Sequence, residues 1–424
     1  MPEKPKPENP DPEKPYPNRP DAPGPSAGGP RSDDPSSGDS GVPLGFEAPR
    51  SRADLVDWLR LARSHRVGPA TFLRLMREHG QPARALAALP ALASGAGLRG
   101  YAAFPRGAAE AELDAGAALG ARLLALGAPG YPPRLAAISD PPPVLWALGN
   151  PALAARPAVA LVGARNASAL GCRMAARLAR DLGAAGLVVA SGLARGIDAA
   201  AHRAALDTGT VAIQAGGIDE IYPPENTDLA VAIAAGGLRL SEMPVGHPPR
   251  TRDFPRRNRI ISGLALGVVV VEGALRSGSL ITARAALDQG REVMAVPGSP
   301  LDPRAAGCNE LIREGATLVR DAADVTEALA AMLAAMLAVE RGPVLRPRPT
   351  PDPMMTGPAC AADGDAGSLE ARLLALLGPV PVTEDTLTRA LGGTAPAIAA
   401  ALLDLELGGR ITRSPGGGIS LAIP

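Results

Sequence analysis

Five arginines fall between positions 250 and 259 of this chain, together with a single acidic residue. A guanidinium group presents a planar fork of donors that can hold two phosphate oxygens at once. We therefore predict a phosphate-binding site here, with Arg256 and Arg259 as the phosphate contacts. Asn258 is expected to order the loop or a nucleotide, and Arg257 is expected to face solvent. The alternative is a charged loop that meets only water.

The overall composition requires any polyanion site to be local. The chain has 424 residues, with 43 basic and 43 acidic side chains, so it has no general attraction to nucleic acid. Its three cysteines, Cys172, Cys308 and Cys360, lie far apart, which argues against a disulfide framework or a zinc site. The first residues contain no apolar stretch, and the longest apolar run, 328–339, is too short to span a bilayer. We expect a cytoplasmic protein without a metal site or a membrane contact.

The elements that must position the arginines alternate between strand and helix from 158 to 340. The strands are continuous aliphatic runs, which is typical of a parallel sheet covered on both faces. This predicts a doubly wound, Rossmann-like α/β domain whose ligands bind beyond the carboxyl ends of the strands. The predicted strands are Val159–Val162, Leu187–Ala190, Val211–Ile213, Leu238–Leu240, Val268–Val271, Glu292–Val296 and Thr317–Val319.

Two loops after these strands carry further candidates. The first, Gly163 to Ser168, is not a GxGxxG turn, because Arg165 stands where the second glycine would be. It disfavours a dinucleotide cofactor but predicts a single-phosphate anchor at a helix N-terminus. The second loop, 191–198, offers small residues and Arg195. Its Asp198 is expected to complement the helix dipole, and His202 one turn later is expected to pack in the helix.

The chain contains no Walker A motif, no HExxH, no GxSxG and no pair of carboxylates at a spacing that indicates catalysis. A crevice rimmed by Arg165, Arg195, Arg256 and Arg259 without a nucleophile and base would bind phosphates without transforming them. The prediction is therefore a binding module with no catalytic residue and no cofactor.

The flanking segments have different compositions. The pattern of residues 367–424 predicts three helices and two short strands around a glycine-rich wing, which is a winged helix. This segment has more acidic than basic residues. That balance favours binding to a protein or packing on the rest of the chain over reading of the DNA major groove. The predicted domains are a disordered Pro-rich tail 1–50, a helical SAM-like or helix-hairpin-helix-like domain 51–110, an extended Rossmann-like domain 111–340 with a helix over Ala111–Leu126, a linker 341–366, and the winged helix 367–424.

Several motifs then occur in one order along the chain. They are Tyr131-Pro, Asp140-Pro-Pro, Gly163-x-Arg165, Ser191-Gly-x-Ala-x-Gly-Ile-Asp198 with His202, Tyr222-Pro-x-Glu-Asn226, Ser241-Glu, Phe254-Pro-x-Arg-Asn-Arg259, Ser277-Gly-Ser-x-x-Thr-Ala283, Pro297-Gly and Asn309-x-Leu-Ile312. In this order they resemble the DNA-processing protein A family, DprA or Smf. The resemblance is close over about 100–330.

This resemblance implies a homodimeric, cytoplasmic bacterial protein that binds single-stranded DNA and delivers RecA recombinase to it during natural transformation. It implies that Gly163, Arg165, Ser191, Gly192, Arg256, Asn258, Arg259, Ser277, Gly278, Ser279 and Asn309 line the strand's pocket. From the loop analysis we add Arg195, Gly196 and Phe254. Ala164 departs from the family, which usually has serine there, and no lysine is present in the pocket.

Three alternatives remain open. Phe254 is either a base-stacking residue or a core anchor that fixes the loop. The protein could instead be a nucleotide-processing, phosphoribohydrolase-like Rossmann enzyme, although Glu272-Gly-Ala and Pro297-Gly-Ser stand where a PGGxGT-type loop with its glutamate would be needed. It could also be a recombinase-binding scaffold whose DNA contact is incidental.

Overall fold

The computed structural model describes residues 45–340, 369–377, 382–391, 395–408, 410–413 and 418–421. The chain divides into two compact units between Val344 and Leu345. The predicted linker 341–366 and nearly all of the predicted tail 1–50 lie outside the described residues.

A nine-stranded sheet forms the centre of the first unit, in the order β1-β2-β6-β5-β4-β3-β7-β8-β9. The strands are β1 (Arg122–Ala125), β2 (Val144–Gly149), β3 (Ala158–Val162), β4 (Val188–Ser191), β5 (Thr210–Gln214), β6 (Leu238–Ser241), β7 (Gly267–Val270), β8 (Glu292–Ala295) and β9 (Thr317–Leu318). From β6 to β9 across the sheet every neighbouring pair is parallel. Both flanks of Ala160 in β3 are covered, by Ala190 on β4 and Val268 on β7.

The winding direction reverses beside β3, which confirms the doubly wound prediction. The chain proceeds outward from β3 through β4 and β5 to β6, then returns to place β7 against the free side of β3. The carboxyl ends of β3 and β7 therefore border the topological switch point, where open α/β sheets bind ligands. All seven predicted strands are present, and each observed end lies within one residue of the predicted one.

Helices cover both faces of this sheet and one end of it. They are α1 (Arg52–Arg63), α2 (Pro69–His79), α3 (Pro82–Gly95), α4 (Arg106–Ala118), α5 (Pro133–Ala136), α6 (Ala169–Ala184), α7 (Ile197–Ala204), α8 (Thr227–Gly236), α9 (Asp253–Leu264), α10 (Gly278–Asp288), α11 (Ala306–Arg313), α12 (Ala322–Ala328) and α13 (Ala330–Glu340). Short 3-10 turns span Pro151–Ala154 and Pro224–Asn226. No helix in the described part of the chain combines the length and apolar character needed to cross a membrane.

One predicted helix is wrong at its C-terminal end. The helix expected over Ala111–Leu126 ends at Ala118, and Arg122–Ala125 forms β1, antiparallel to β2. Gly120 takes a left-handed φ of 72°, which breaks the helix between the two. A run of alanine and leucine has no clear period, so the sequence pattern alone does not separate helix from strand there.

The N-terminal helices share a continuous hydrophobic core with the sheet. Trp58 of α1 is fully buried beside Phe72 of α2, with ring centroids 5.0 Å apart, and its indole Nε1 donates to Pro143 O at 2.9 Å. Trp146 of β2 belongs to the same core. Helix α4 runs through the predicted domain boundary at 110–111.

The second unit is a small winged helix with its own core. It contains α14 (Leu369–Leu376), β10 (Val382–Thr383), α15 (Glu384–Leu391), α16 (Ala395–Leu407), β11 (Ile411–Arg413) and β12 (Gly418–Leu421), with the strands in the order β10-β12-β11. Leu373, Leu387, Ile398, Leu402 and Ile419 pack together in it. The three helices and two strands agree with the sequence prediction, and β10 is an addition.

A buried ion pair joins α1 to α4 and allows a direct stability test. Arg63 donates from Nε and Nη2 to Glu112 at 3.1 and 2.9 Å, and Glu112 also accepts from Trp146 Nε1. Because Arg63→Ala leaves this carboxylate buried without its partner, we expect it to lower the free energy of unfolding by about 3–5 kcal/mol in urea titrations. The control, Arg52→Ala, breaks the exposed pair with Asp114 and should cost less than about 1 kcal/mol. Equal effects would contradict this interpretation.

Candidate nucleic-acid interface

A pocket opens beyond the carboxyl ends of β3 and β4. We call it the Arg165–Phe254 pocket; it is lined by Arg165, Gly192, Ala194, Arg195, Tyr222, Pro223 and Phe254. Loops after two adjacent strands contribute its arginines, and the start of α9 contributes its phenylalanine. Four predicted site residues are therefore brought together here, namely Arg165, Gly192, Arg195 and Phe254.

The pocket places a cation and two aromatic rings in contact. The guanidinium carbon of Arg165 lies 4.9 Å from the centroid of the Phe254 ring, within cation–π range. Tyr222 meets the same ring edge-on, with centroids 5.6 Å apart, and remains 46% exposed. A positive charge and an accessible aromatic surface are thus presented side by side. The sequence prediction omitted Tyr222, although it is the only other aromatic residue between 151 and 330.

The loop 191–195, which forms the pocket's floor, is held by buried side chains. Asp198 of α7 accepts from Gly192 N at 3.1 Å and from Ala194 N at 3.3 Å. Asn226 donates from below to Leu193 O at 2.9 Å and to Ala194 O at 3.1 Å. The predicted dipole-complementing role of Asp198 is therefore accompanied by direct bonding of the loop amides. These bonds hold Leu193 in the left-handed region, at φ 57°.

Arg257 lies beneath this loop, which contradicts the prediction that it faces solvent. It is only 5% exposed, and its Nη1 donates to Gly192 O and Ile213 O. A Cβ at position 192 would lie 2.5 Å from that nitrogen, so only glycine fits above the guanidinium. Burial lowers the pKa of Arg257 to about 10, while nearby Asp198 opposes that shift, so the group remains charged at neutral pH.

The arginine cluster lies on a helix rather than in the predicted loop, because α9 already begins at Asp253. Arg259 is largely buried, donating from Nη2 to Glu242 Oε1 at 2.7 Å and from Nη1 to Asp140 O at 2.5 Å. Arg256 keeps 48% of its side chain exposed, with Nε 3.4 Å from Glu242 Oε2. The structure therefore gives Arg259 internal partners, whereas Arg256 remains accessible.

Other residues of the predicted site also bond within the protein. Ser191 is fully buried and donates to Leu161 O at 2.6 Å, and Asn258 donates to Gly278 O at 3.4 Å. The Ser277 hydroxyl caps α10 at Ser279 N, and Asn309 exchanges two hydrogen bonds with Gly298.

Close packing explains two of the glycines that were predicted to line the site. A Cβ at Gly196, where φ is 73°, would lie 2.2 Å from Ala164 O, and one at Gly163 would lie 2.6 Å from Ile197 Cγ1. Both positions let the first and second loops approach each other closely.

A carboxylate occupies the start of α6, where a phosphate anchor was predicted. Glu272, in the loop after β7, accepts from Ser168 N at 2.9 Å and also from the Ser168 hydroxyl. A Cβ at Gly171 would lie 2.4 Å from the carboxyl carbon of Glu272, so this glycine admits the side chain. The structure contradicts the anchor at Ser168, because a negative group of the protein already uses those donors. Among the described residues, no cluster of His, Cys, Asp and Glu could hold a metal ion.

His202 is a packed helical histidine, as predicted. It is fully buried, accepts from Leu193 N at 3.3 Å and lies 2.7 Å from Thr210 Oγ1 through Nδ1. Burial lowers the pKa of His202 from its ordinary 6.5 to about 3, with Arg257 adding to the effect, so the imidazole is neutral.

Acid should therefore destabilise the fold through His202. A folded-state pKa below the unfolded one means that the unfolded chain binds the proton first, so stability falls as the pH drops below about 6.5. Between pH 6.5 and pH 5 we expect this histidine to account for about 1–2 kcal/mol of lost unfolding free energy. His202→Gln, which cannot titrate, should remove that part of the pH dependence in urea titrations. The exposed control, His65→Gln, should leave it unchanged, and identical pH profiles for both variants would refute the assignment.

Three family models match successive segments of the chain. A family model for DNA recombination-mediator protein A matches residues 122–330, a DprA-like N-terminal HHH domain matches 52–115, and a DprA winged helix domain matches 357–417. Protein Smf of Escherichia coli (strain K12) is 38% identical over 294 residues, which cover 69% of this chain and 75% of that protein. The chain belongs to the DprA/Smf family. The predicted resemblance is thereby confirmed.

The chain is also similar to other DprA proteins. DNA processing protein DprA of Bacillus subtilis (strain 168) is 46% identical over 202 residues, covering 47% of this chain and 68% of its own. A solved structure of DprA from Streptococcus pneumoniae is 43% identical, covering 49% of this chain and 73% of that chain with a TM-score of 0.47. The Helicobacter pylori protein, solved to describe its single-stranded DNA binding mode, is 29% identical, covering 50% and 96% with a TM-score of 0.46.

Proposed function

We propose that this protein binds single-stranded DNA, without strong sequence preference, in the Arg165–Phe254 pocket. The observation that supports this most directly is the Arg165 guanidinium lying over the Phe254 ring, with Tyr222 exposed beside it. Proteins that hold single strands combine cationic groups for the backbone with aromatic faces for the bases. Every base has a stacking face, so such a pocket tolerates any sequence.

The contact set we propose is narrower than the one predicted from sequence. Arg165, Arg195 and Arg256 are the accessible cations, and Phe254 with Tyr222 supplies the aromatic surface. Within the described part of the chain, Arg195 pairs with the exposed Glu225 at 3.5 Å, a long contact that a phosphate can replace. Arg257, Arg259 and Asn258 instead position the start of α9. Gly163, Gly192 and Gly196 allow the loops to pack.

We propose that binding proceeds without chemical transformation of the DNA. Glu272 is the nearest candidate for the glutamate that a phosphoribohydrolase-like site would need. Both oxygens of its carboxylate accept hydrogen bonds from Ser168. A carboxylate already hydrogen-bonded in this way is not available as a general base for hydrolysis of a nucleotide bound at the switch point. Turnover of nucleotides by the purified protein, lost in Glu272→Gln, would support the enzyme instead.

Membership of the DprA/Smf family supports a wider proposal for the cell. We propose that the protein acts in the cytoplasm as a homodimer and loads RecA recombinase onto the bound strand during natural transformation. Failure of Arg165→Ala to stimulate RecA-driven strand exchange, with normal folding, would connect that role to the pocket. Normal stimulation by this variant would favour a recombinase-binding scaffold whose DNA contact is incidental.

Arg165→Ala provides the direct test of the pocket. It removes both a phosphate partner and the cation above Phe254, so we expect the affinity for a fluorescent oligothymidine to fall about tenfold or more in anisotropy titrations at about 0.1 M salt. The matched control is Arg180→Ala, which removes the same charge from an exposed position on α6.

The control should change the affinity by less than about twofold, since exposed charges are screened at this salt concentration. Equal losses in the two variants would mean that only net charge matters. No loss in Arg165→Ala would exclude the pocket as the binding site.

A further inference from the structure

Two arginines of α9 share one buried carboxylate. Glu242, the residue directly after β6, is 5% exposed and lies between Arg256 and Arg259. Its Oε1 accepts from Arg259 Nη2 at 2.7 Å. Its Oε2 lies 3.4 Å from Arg256 Nε and is buried, with no hydrogen-bond partner among the described residues. The two oxygens of this carboxylate therefore have very different environments.

The position of Glu242 is fixed from several sides. Arg63 of α1 donates to its backbone oxygen at 3.0 Å. Arg259, which holds the carboxylate, is itself held by Asp140, whose Oδ2 lies 3.4 Å from Arg259 Nε. Arg256 alone among these arginines is half-exposed. The carboxylate is thus held by several contacts, whereas its second arginine partner is half-exposed.

The charges of this cluster cancel. Arg256 and Arg259 carry two positive charges, and Glu242 and Asp140 carry two negative charges. A phosphate that approaches Arg256 must therefore compete with a carboxylate already in place. The competition is uneven, because Glu242 Oε2 makes no hydrogen bond to Arg256, whereas a phosphate can accept two from a guanidinium fork.

We propose that Glu242 is an internal counter-ion that pairs with Arg256, competes with DNA phosphate for it and so limits the affinity of the pocket for single-stranded DNA. Without DNA, the carboxylate restrains Arg256. When the strand binds, a phosphate competes with the carboxylate for the guanidinium, so Arg256 engages the strand only in part. Glu242 is a positioning residue in this account and does not touch the DNA. The inference rests on the proposed single-strand binding and adds to it a residue that sets affinity and salt dependence.

The test is Glu242→Gln, which keeps a hydrogen-bond acceptor for Arg259 but removes the charge facing Arg256. We expect its affinity for oligothymidine at about 0.1 M salt to rise roughly three- to tenfold. Because Arg256 is then free for a phosphate, the log–log salt slope should steepen by up to about 0.7.

Two controls separate this effect from a change in the fold. Asp140→Asn removes the other carboxylate on Arg259. Asp140 pairs with Arg259 rather than with Arg256, so this variant should raise the affinity much less. Adding Arg256→Ala to Glu242→Gln should abolish the gain in both affinity and slope. If Glu242→Gln does not fold, Glu242→Asp, which withdraws the charge by one carbon atom, should show a smaller gain in the same direction.

Unchanged or weaker binding by folded Glu242→Gln would overturn the proposal, as would an equal gain in Asp140→Asn. These outcomes differ from failure of the proposed function. In that case the wild-type protein would not bind single strands in a salt-dependent way, or Arg165→Ala would bind as the wild type does. Wild-type binding that needs Arg165, combined with no gain in Glu242→Gln, would reject the counter-ion alone.

Discussion

The buried guanidinium of Arg257 is the interaction on which the pocket depends. It connects α9 to Gly192 O, just after β4, and to Ile213 O, next to the last residue of β5, with Asp198 as its nearby counter-charge. A buried cation is tolerable only with such acceptors and an opposite charge around it. Its position fixes where α9 starts, and Phe254, nearly one turn earlier, is thereby placed against Arg165.

Of the three arginines on α9, only Arg256 is exposed. Arg257 supports the loop 191–195 and Arg259 is neutralised by Glu242 and Asp140, which leaves Arg256 as the accessible one. The accessible cations come from three separate elements, since Arg165 and Arg195 follow β3 and β4. A strand bound here would meet dispersed cations around an aromatic centre, a design that suits a flexible single strand better than a rigid duplex.

The sequence predicts the parallel sheet well because continuous aliphatic runs such as Val268–Val271 are typical of buried parallel strands. The ordered motifs identify the family. It does not predict β1, since alanine-rich segments carry no period. Within the site it finds the loops and Arg165, but it cannot tell the buried Arg257 from the exposed Arg256. That distinction depends on the helix starting at Asp253 and on acceptors distant in sequence, such as Ile213 and Glu242.

The measurement that tests this account most directly is the salt dependence of wild-type binding to single-stranded and double-stranded DNA of the same sequence, side by side. Arg165 and Arg195 predict a log–log slope of roughly −1.4 for the single strand, at about 0.7 per phosphate contact, and partial engagement of Arg256 moves the slope toward roughly −2. The single strand should also bind more tightly at every salt concentration, because only unpaired bases can reach Phe254 and Tyr222. A flat salt response, or equal affinity for the duplex, would contradict the account.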